Sequence, residues 1–298
     1  MSAQPTSRQA AVLLAAVILL WGANWPVMKV GLQLIPPLWF AAARVLLGAV
    51  CLFALLAALG RIRLPGRADI PVVVSISIFQ IGLFLALITI GLQYVDAGRA
   101  AILAYTTPLW VVPIAALTLG ERPRRAEAAA LLLGLTGIGV LFNPQGFDLS
   151  DVRAVAGNAM LLAAAMSWAV SIVHIRQHTW HMSPLQLMPW QMLIGGGALA
   201  IGAMITEPVS DIRWSADLVL VMAYNGPVAS AFCFWAYVTV ARRLPAITTA
   251  LASLGVPVIG VLSSAIVLGE PLSLTRVGGL ALITSAVALL TFPRRQRN

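Results

Sequence analysis

The sequence predicts an all-α integral membrane protein of ten transmembrane helices, arranged as two inverted five-helix repeats, and three observations predict it. First, 60% of the 298 residues are hydrophobic and only 10% are charged, with a mean hydropathy of +0.93. A soluble domain of that size would expose much of this apolar surface to water. Second, uncharged runs recur from end to end, and about 20 helical residues cross the ~30 Å hydrocarbon layer. Third, the chain repeats itself. Ala97 to Glu121 (AGRAAILAYTTPLWVVPIAALTLGE) and Ala246 to Glu270 (AITTALASLGVPVIGVLSSAIVLGE) share Ala97/Ala246, Ala101/Ala250, Pro108/Pro257, Val112/Val261, Ala116/Ala265, Leu119/Leu268 and the closing Gly-Glu, all at an offset of 149. The first six identities fall in one stripe of a helix at ~100° per residue.

Taken in order, the spans are expected at about 9–30, 36–59, 70–92, 97–119, 126–143, 155–175, 184–206, 216–240, 244–268 and 274–292. The runs lack the alternation of a barrel strand, so helices, which pair their backbone groups internally, must be the spanning element. Span one follows Arg8 like a secretory signal, but nine further runs behind it make it a retained helix. Spans one, four, eight and nine carry internal prolines beside polar residues: Asn24 by Pro26, Tyr105 to Thr107 by Pro108, Tyr224 and Asn225 by Pro227, and Pro257. Each proline frees a carbonyl four residues earlier (those of Gly22, Ala104, Ala223 and Ser253) and so offers a polar kink. Spans five, seven and ten carry Gly134, Gly137 and Gly139; Gly195 to Gly197; and Gly278 and Gly279, which read as close helix packing. Cys51 and Cys233 lie in apolar runs without metal or redox spacing and read as packing residues.

The net charge of +9 is distributed as a membrane topology requires rather than as a nucleic-acid surface does. With the amino terminus cytoplasmic, the inner segments hold Arg8, Arg61, Arg63, Arg67, Arg122, Arg124, Arg125, Arg176, Arg242, Arg243, Arg294, Arg295 and Arg297. The outer segments hold only Lys29, Arg99, Arg153, Arg213 and Arg276. By the positive-inside rule both termini are therefore expected in the cytoplasm.

The repeat extends to the first helices, since Trp21 matches Trp168 and Arg44 meets Gln191 at an offset of 147. Residues 1–147 thus form one unit and 148–298 the other. Five spans being odd, the second unit enters from the opposite side, an architecture recurrent in secondary transporters, whose substrate site lies near mid-membrane between the repeats. The first-helix WGANWPVMK (Trp21 to Lys29), Arg44 in the second helix and the twice-used helix with central proline and terminal Gly-Glu resemble the drug/metabolite transporter superfamily, EamA type. The resemblance covers residues 11 to 292. Within the superfamily the sequence is most similar to YddG-type exporters of aromatic and other neutral amino acids. It implies alternating-access export of such solutes across a bacterial-type inner membrane. Gln191 departs from any symmetric arginine pair.

The residues themselves add candidates for the cavity. Trp21 and Trp168, repeat mates beside polar positions, suit aromatic walls, and Trp110, Tyr105, Tyr224, Asn24 and Asn225 suit a lining for an amphipathic zwitterion. Arg44, a charge inside a span that costs about 2.5–3.5 kcal/mol on insertion scales, reads either as a clamp for a substrate carboxylate or as a tie to freed carbonyls or to Glu270. Gln80 is a weaker polar candidate of the same kind. Pro108, Pro257, Glu121 and Glu270 are expected to bend and latch the two repeated helices at opposite faces, the bland role of each glutamate being to cap a helix amino terminus. His174, His178 and His181 lie within helical reach of one another, but no carboxylate accompanies them in sequence, so no metal or other cofactor is assigned; a pH-sensitive inner gate is a weaker reading. A proton-coupled antiporter of cationic drugs is the alternative, and it wants a carboxylate deep in a span, which the sequence lacks. An embedded enzyme would need paired aspartates, HExxH or a Ser/His pair, none of which is present. The implied partners are a small-molecule substrate and the lipid bilayer.

Overall fold

The computed structural model describes residues 7–142 and 150–291. The described chain is helical throughout, with no strand. It opens with α1 (Ser7–Gly31) and α2 (Pro37–Ala58), the latter started by proline at its first position, where a missing N–H costs nothing. The third rod is composite: a 3₁₀ turn (Arg67–Asp69), α3 (Ile70–Ser75), a π-helix (Ile76–Leu83) and α4 (Phe84–Gly91). The fourth is broken at Tyr105–Thr106 into α5 (Ala97–Ala104) and α6 (Thr107–Leu119), and α7 (Arg125–Phe142) follows.

The second unit repeats this plan. It comprises α8 (Val152–Gln177), α9 (Pro184–Thr206), α10 (Ala216–Tyr224) running through a π-helix (Asn225–Phe232) into α11 (Cys233–Ala241), α12 (Ala246–Ala252), α13 (Gly255–Leu268) and α14 (Leu274–Thr291). Eight of these rods are long and apolar enough to cross a membrane. The other two, α7 and α14, have 18 residues each and pack along one another.

Irregularities recur at the same offset as the sequence repeat. The two π-helices lie 149 residues apart, as do the two left-handed glycines that end α6 and α13, Gly120 (φ 65°) and Gly269 (φ 68°). A left-handed C-terminal residue favours glycine because it has no Cβ to clash with the preceding carbonyl. The expected kinks in the fourth and ninth spans are full breaks. Pro26, by contrast, sits within an uninterrupted α1. Two of the carbonyls freed by prolines are reclaimed by hydroxyls, Thr107 Oγ1 donating to Ala104 O at 3.0 Å and Ser263 Oγ to Gly22 O at 3.2 Å, and that of Ser253 accepts from the Val256 N–H at 3.0 Å.

The units meet through pairs that exchange partners. α2 packs on its own mate α9, α7 on α14, α1 on α13, and correspondingly α8 on α6. The α1–α13 crossing is so close that a Cβ on Gly22 would stand 2.4 Å from Ile259 Cβ. Four carboxylates stitch the ends. Glu121 accepts from the Ala246 N–H (2.9 Å), and its mate Glu270 accepts from Ala97 and Gly98 (2.9 and 3.2 Å). Glu207, beyond α9, accepts from Leu38 and Trp39 at the start of α2 (2.9 and 3.0 Å). Asp69, beyond α2, accepts from His181 and Met182 just before α9 (3.1 and 2.9 Å). Each carboxylate thus takes the orphan N–H groups at, or just ahead of, a helix start in the other unit, where the helix dipole also favours negative charge. The last two contacts make α2 and α9 antiparallel.

Candidate functional site

The two units converge on an aromatic layer at the centre of the bundle. Trp21 of α1 and its repeat mate Trp168 of α8 meet edge to face with centroids 5.5 Å apart, and both contact Tyr237 of α11 at 5.3 and 5.2 Å. Phe84 lies 4.4 Å from Trp168, and Phe234 5.5 Å from Trp21. Edge-to-face and tilted contacts suit the ring quadrupoles, and both buried indole N–H groups are satisfied. Trp168 Nε1 donates to Tyr237 Oη at 3.1 Å, and Trp21 Nε1 to Ala229 O at 2.8 Å.

Against this layer lies a cavity of about 40 Å³, room for a few water molecules at most. Five residues singled out from the sequence form part of its wall: Trp21, Asn24, Arg44, Tyr105 and Trp168. Trp25, Met28, Phe84, Leu85, Ile88 and Phe234 complete it and were not expected. Phe84, Leu85 and Ile88 share one helical face, but in a bundle apolar on every side that spacing carries no signal.

Arg44 is buried, and Nε donates to Ser230 Oγ at 3.1 Å while Nη1 lies 3.0 Å from Met28 Sδ. Neither tie considered from sequence is formed, because the Glu270 carboxylate caps α5 and Arg44 makes no ion pair among the described residues. Of the five N–H donors of a guanidinium, these contacts engage one each at Nε and Nη1. Asn24 Oδ1 is buried without a partner. The wall therefore offers a cation, an amide and aromatic rings.

The remaining candidates lie outside this lining. Gln80 Oε1 accepts from Ser171 Oγ at 2.9 Å, Tyr224 donates its hydroxyl to Leu20 O at 2.7 Å, and Asn225 Nδ2 donates to Val221 O at 3.0 Å. Trp110 is half-buried on α6, its Nε1 without a partner. Pro108 and Pro257 follow the breaks in the fourth and ninth rods.

The three histidines do not share a helix. α8 ends at Gln177, so His178 and His181 leave the helix that was expected to carry them, and a carboxylate does accompany them. Asp69 Oδ1 stands 3.1 Å from His178 Nε2 and 3.7 Å from His181 Nδ1. The three ligand atoms fall within 4.8 Å of one another, a spacing that a metal ion could bridge. Yet both Asp69 oxygens already accept backbone N–H groups, so the cluster is accounted for as a staple between the α2–α3 connection and the approach to α9. No sequence signal pointed to Asp69 or Glu207, because each acts across more than a hundred residues.

Comparison with known proteins bears on the whole chain. The EamA-like transporter family matches residues 8–143 and again 155–292. The uncharacterized transporter YvbV of Bacillus subtilis is 31% identical over 281 residues, spanning 94% of this chain and 90% of its own. A probable amino-acid metabolite efflux pump of Salmonella typhimurium is 28% identical over 300 residues, spanning 98% and 97%. The uncharacterized inner membrane transporter YedA of Escherichia coli is 30% identical over 282 residues, spanning 93% and 89%. A protein of known crystal structure, 24% identical, shares the fold with a TM-score of 0.72 over 95% of this chain and 97% of that one.

Proposed function

Since the chain belongs to the EamA-like transporter family, we propose that it exports amino acids, aromatic and other neutral ones as in the YddG type, or related small metabolites, by alternating access. The reading places ten spans in a bacterial-type inner membrane with both termini cytoplasmic. Residues 1–147 and 148–298 are its two inverted units. The antiparallel run of α2 against its mate α9 and the exchanged carboxylate caps support the inversion.

One observation carries the substrate class. Asn24 brings a buried unpartnered oxygen, and Arg44 a guanidinium hydrogen-bonded to Ser230 and Met28, to a cavity lined also by the rings of Trp21, Trp168 and Phe234. A carboxylate paired with Arg44 and an apolar side chain against the tryptophans would satisfy both. The amino-acid efflux pump among the relatives points the same way. At about 40 Å³ the cavity is far below the ~300 Å³ of an ordinary ligand pocket, so loading requires the units to separate. Arg44 then works as the clamp, with Ser230 holding its Nε in place.

The test is counterflow in proteoliposomes with labelled aromatic, aliphatic and cationic solutes. Aromatic and neutral amino acids should exchange, and Arg44→Gln should abolish exchange while the protein remains folded. Movement of lipophilic cations alone, and only with a pH gradient, would instead establish the antiporter of cationic drugs.

A further inference from the structure

A second, far larger cavity opens at the end of the bundle where α1 begins. It encloses about 1070 Å³ between the units, and its lining includes Arg8, Arg61, Arg63, Arg242, Arg243 and His181. None of its described lining residues is acidic. The acids of this end are already engaged: Asp69, which does not itself line the space, holds the backbone N–H groups of the lining residues His181 and Met182, Glu121 that of Ala246, and Glu127 accepts from Arg124 and Thr248. Retention of positive charge on the cytoplasmic side explains arginines in the loops. It does not explain why five of them, from both units, border one concavity while Arg122 and Arg125 lie outside it.

From this arrangement we infer that the vestibule is a binding site for small organic anions, in particular carboxylates bearing an apolar group, which are gathered there before they reach the central cavity. The inference rests on the carrier reading above and sharpens its substrate class. Clefts lined by one sign of charge with low-dielectric walls focus the field and raise the local concentration of counter-ions. Guanidinium groups pair with carboxylates in two-pronged fashion. Apolar wall is present as well, since Leu13, Leu56, Leu185 and Trp235 line the same space. Arg242, stacked 5.7 Å from the Trp180 ring, is pulled below its ordinary pKa by burial and then by the Arg243 charge, a repulsion that a bound anion would relieve. On this reading a net anion outcompetes a zwitterion of the same shape at the vestibule, and a cation is repelled.

Three probes that share one ring separate charge from shape: 3-phenylpropionate (anion), phenylalanine (zwitterion) and phenethylamine (cation). Their equilibrium binding would be measured in neutral phosphatidylcholine nanodiscs at low and high salt. The anion should bind in a salt-sensitive way and the cation should not. The double substitutions Arg242→Gln with Arg243→Gln, and separately Arg61→Gln with Arg63→Gln, should each weaken anion binding about tenfold and phenylalanine binding much less. Arg122→Gln with Arg125→Gln removes equal charge outside the vestibule and should leave anion binding unchanged. Thermal melts confirm that each variant is folded, and the two independent pairs guard against one failing. Unchanged anion affinity in both vestibule pairs, or an equal loss in the Arg122/Arg125 pair, would overturn the proposal. So would absence of anion binding combined with tight retention of phosphatidylglycerol that the vestibule substitutions abolish, since the site would then hold a lipid. Counterflow of phenylalanine by the unaltered protein, measured on the same preparation, tests the carrier reading separately.

Discussion

Replacing Glu270 and Glu121 by alanine, one at a time, tests the exchanged caps that join the two units. Glu270 accepts two N–H bonds, from Ala97 at 2.9 Å and Gly98 at 3.2 Å, whereas Glu121 accepts one, from Ala246 at 2.9 Å. Bonds to a charged acceptor contribute about 1.5–3 kcal/mol each. Both carboxylates are partly exposed, so the lower end applies, giving about 3 kcal/mol for Glu270 and about 1.5 kcal/mol for Glu121. The Arg176–Glu121 pair, at 3.7 Å with the arginine side chain 41% exposed, adds little. At about 2 °C per kcal/mol for a chain of this size, Glu270→Ala should lower the melting temperature by roughly 6 °C and Glu121→Ala by roughly 3 °C. Glutamine at either position keeps an acceptor oxygen without the charge and should cost about half as much. Hydrogen exchange gives the local readout: protection should fall at Ala97–Ala104 in the first variant and at Ala246–Ala252 in the second. Equal melting shifts, or a loss of protection at the same helix in both variants, would refute the assignment of one carboxylate to each opposite helix.

Other outcomes follow from the same contacts. Gly22→Ala forces a Cβ to within 2.4 Å of Ile259 Cβ and 3.1 Å of Val256 O, so a loss of about 1–3 kcal/mol is expected. Gly139→Ala in α7 meets nothing within 4 Å and should be neutral or stabilising by up to about 1 kcal/mol; thermal melts of the pair decide. Trp168→Ala should cost about 3–5 kcal/mol by opening the aromatic layer, while Trp168→Phe keeps a ring but strands the Tyr237 hydroxyl from its indole donor, so counterflow should change more than stability does. Asp69→Ala removes two backbone caps and the His178 contact and should destabilise by about 2–4 kcal/mol, read as a lowered denaturation midpoint.

Much of this architecture was legible because it is written in local chemistry. Proline fixes where a carbonyl is freed, glycine permits the left-handed turn before Glu121 and Glu270, and the offset of 149 exposes the second copy. The π-helix at Asn225–Phe232 surrounds Pro227 and so falls where a kink was expected. Its counterpart at Ile76–Leu83 contains no proline, and one extra residue in an apolar run leaves no mark on the hydrophobic pattern. The same uniformity hid the wall residues Trp25 and Phe234 and left them indistinguishable from Trp110. In a membrane bundle the lipid-facing and core-facing sides are equally apolar, so periodicity does not tell which ring turns inward.

The long-range caps were illegible for a different reason, and that reason bears on how the units move. Asp69 and Glu207 find their partners only because α2 packs antiparallel on α9, which carries the end of each helix to the start of the other. An interface built on this exchange is self-complementary, so its contacts come in matched sets at the two ends. Asp69 and Glu121 close the end that bears the arginine vestibule; Glu207 and Glu270 close the other. On the alternating-access reading proposed above, opening one end would break its own set of caps and leave the other in place. In their caps alone the two ends are chemically alike and differ by one or two charge-assisted bonds, about a few kcal/mol. That is a bias which a bound substrate, making different contacts in the two arrangements, can reverse.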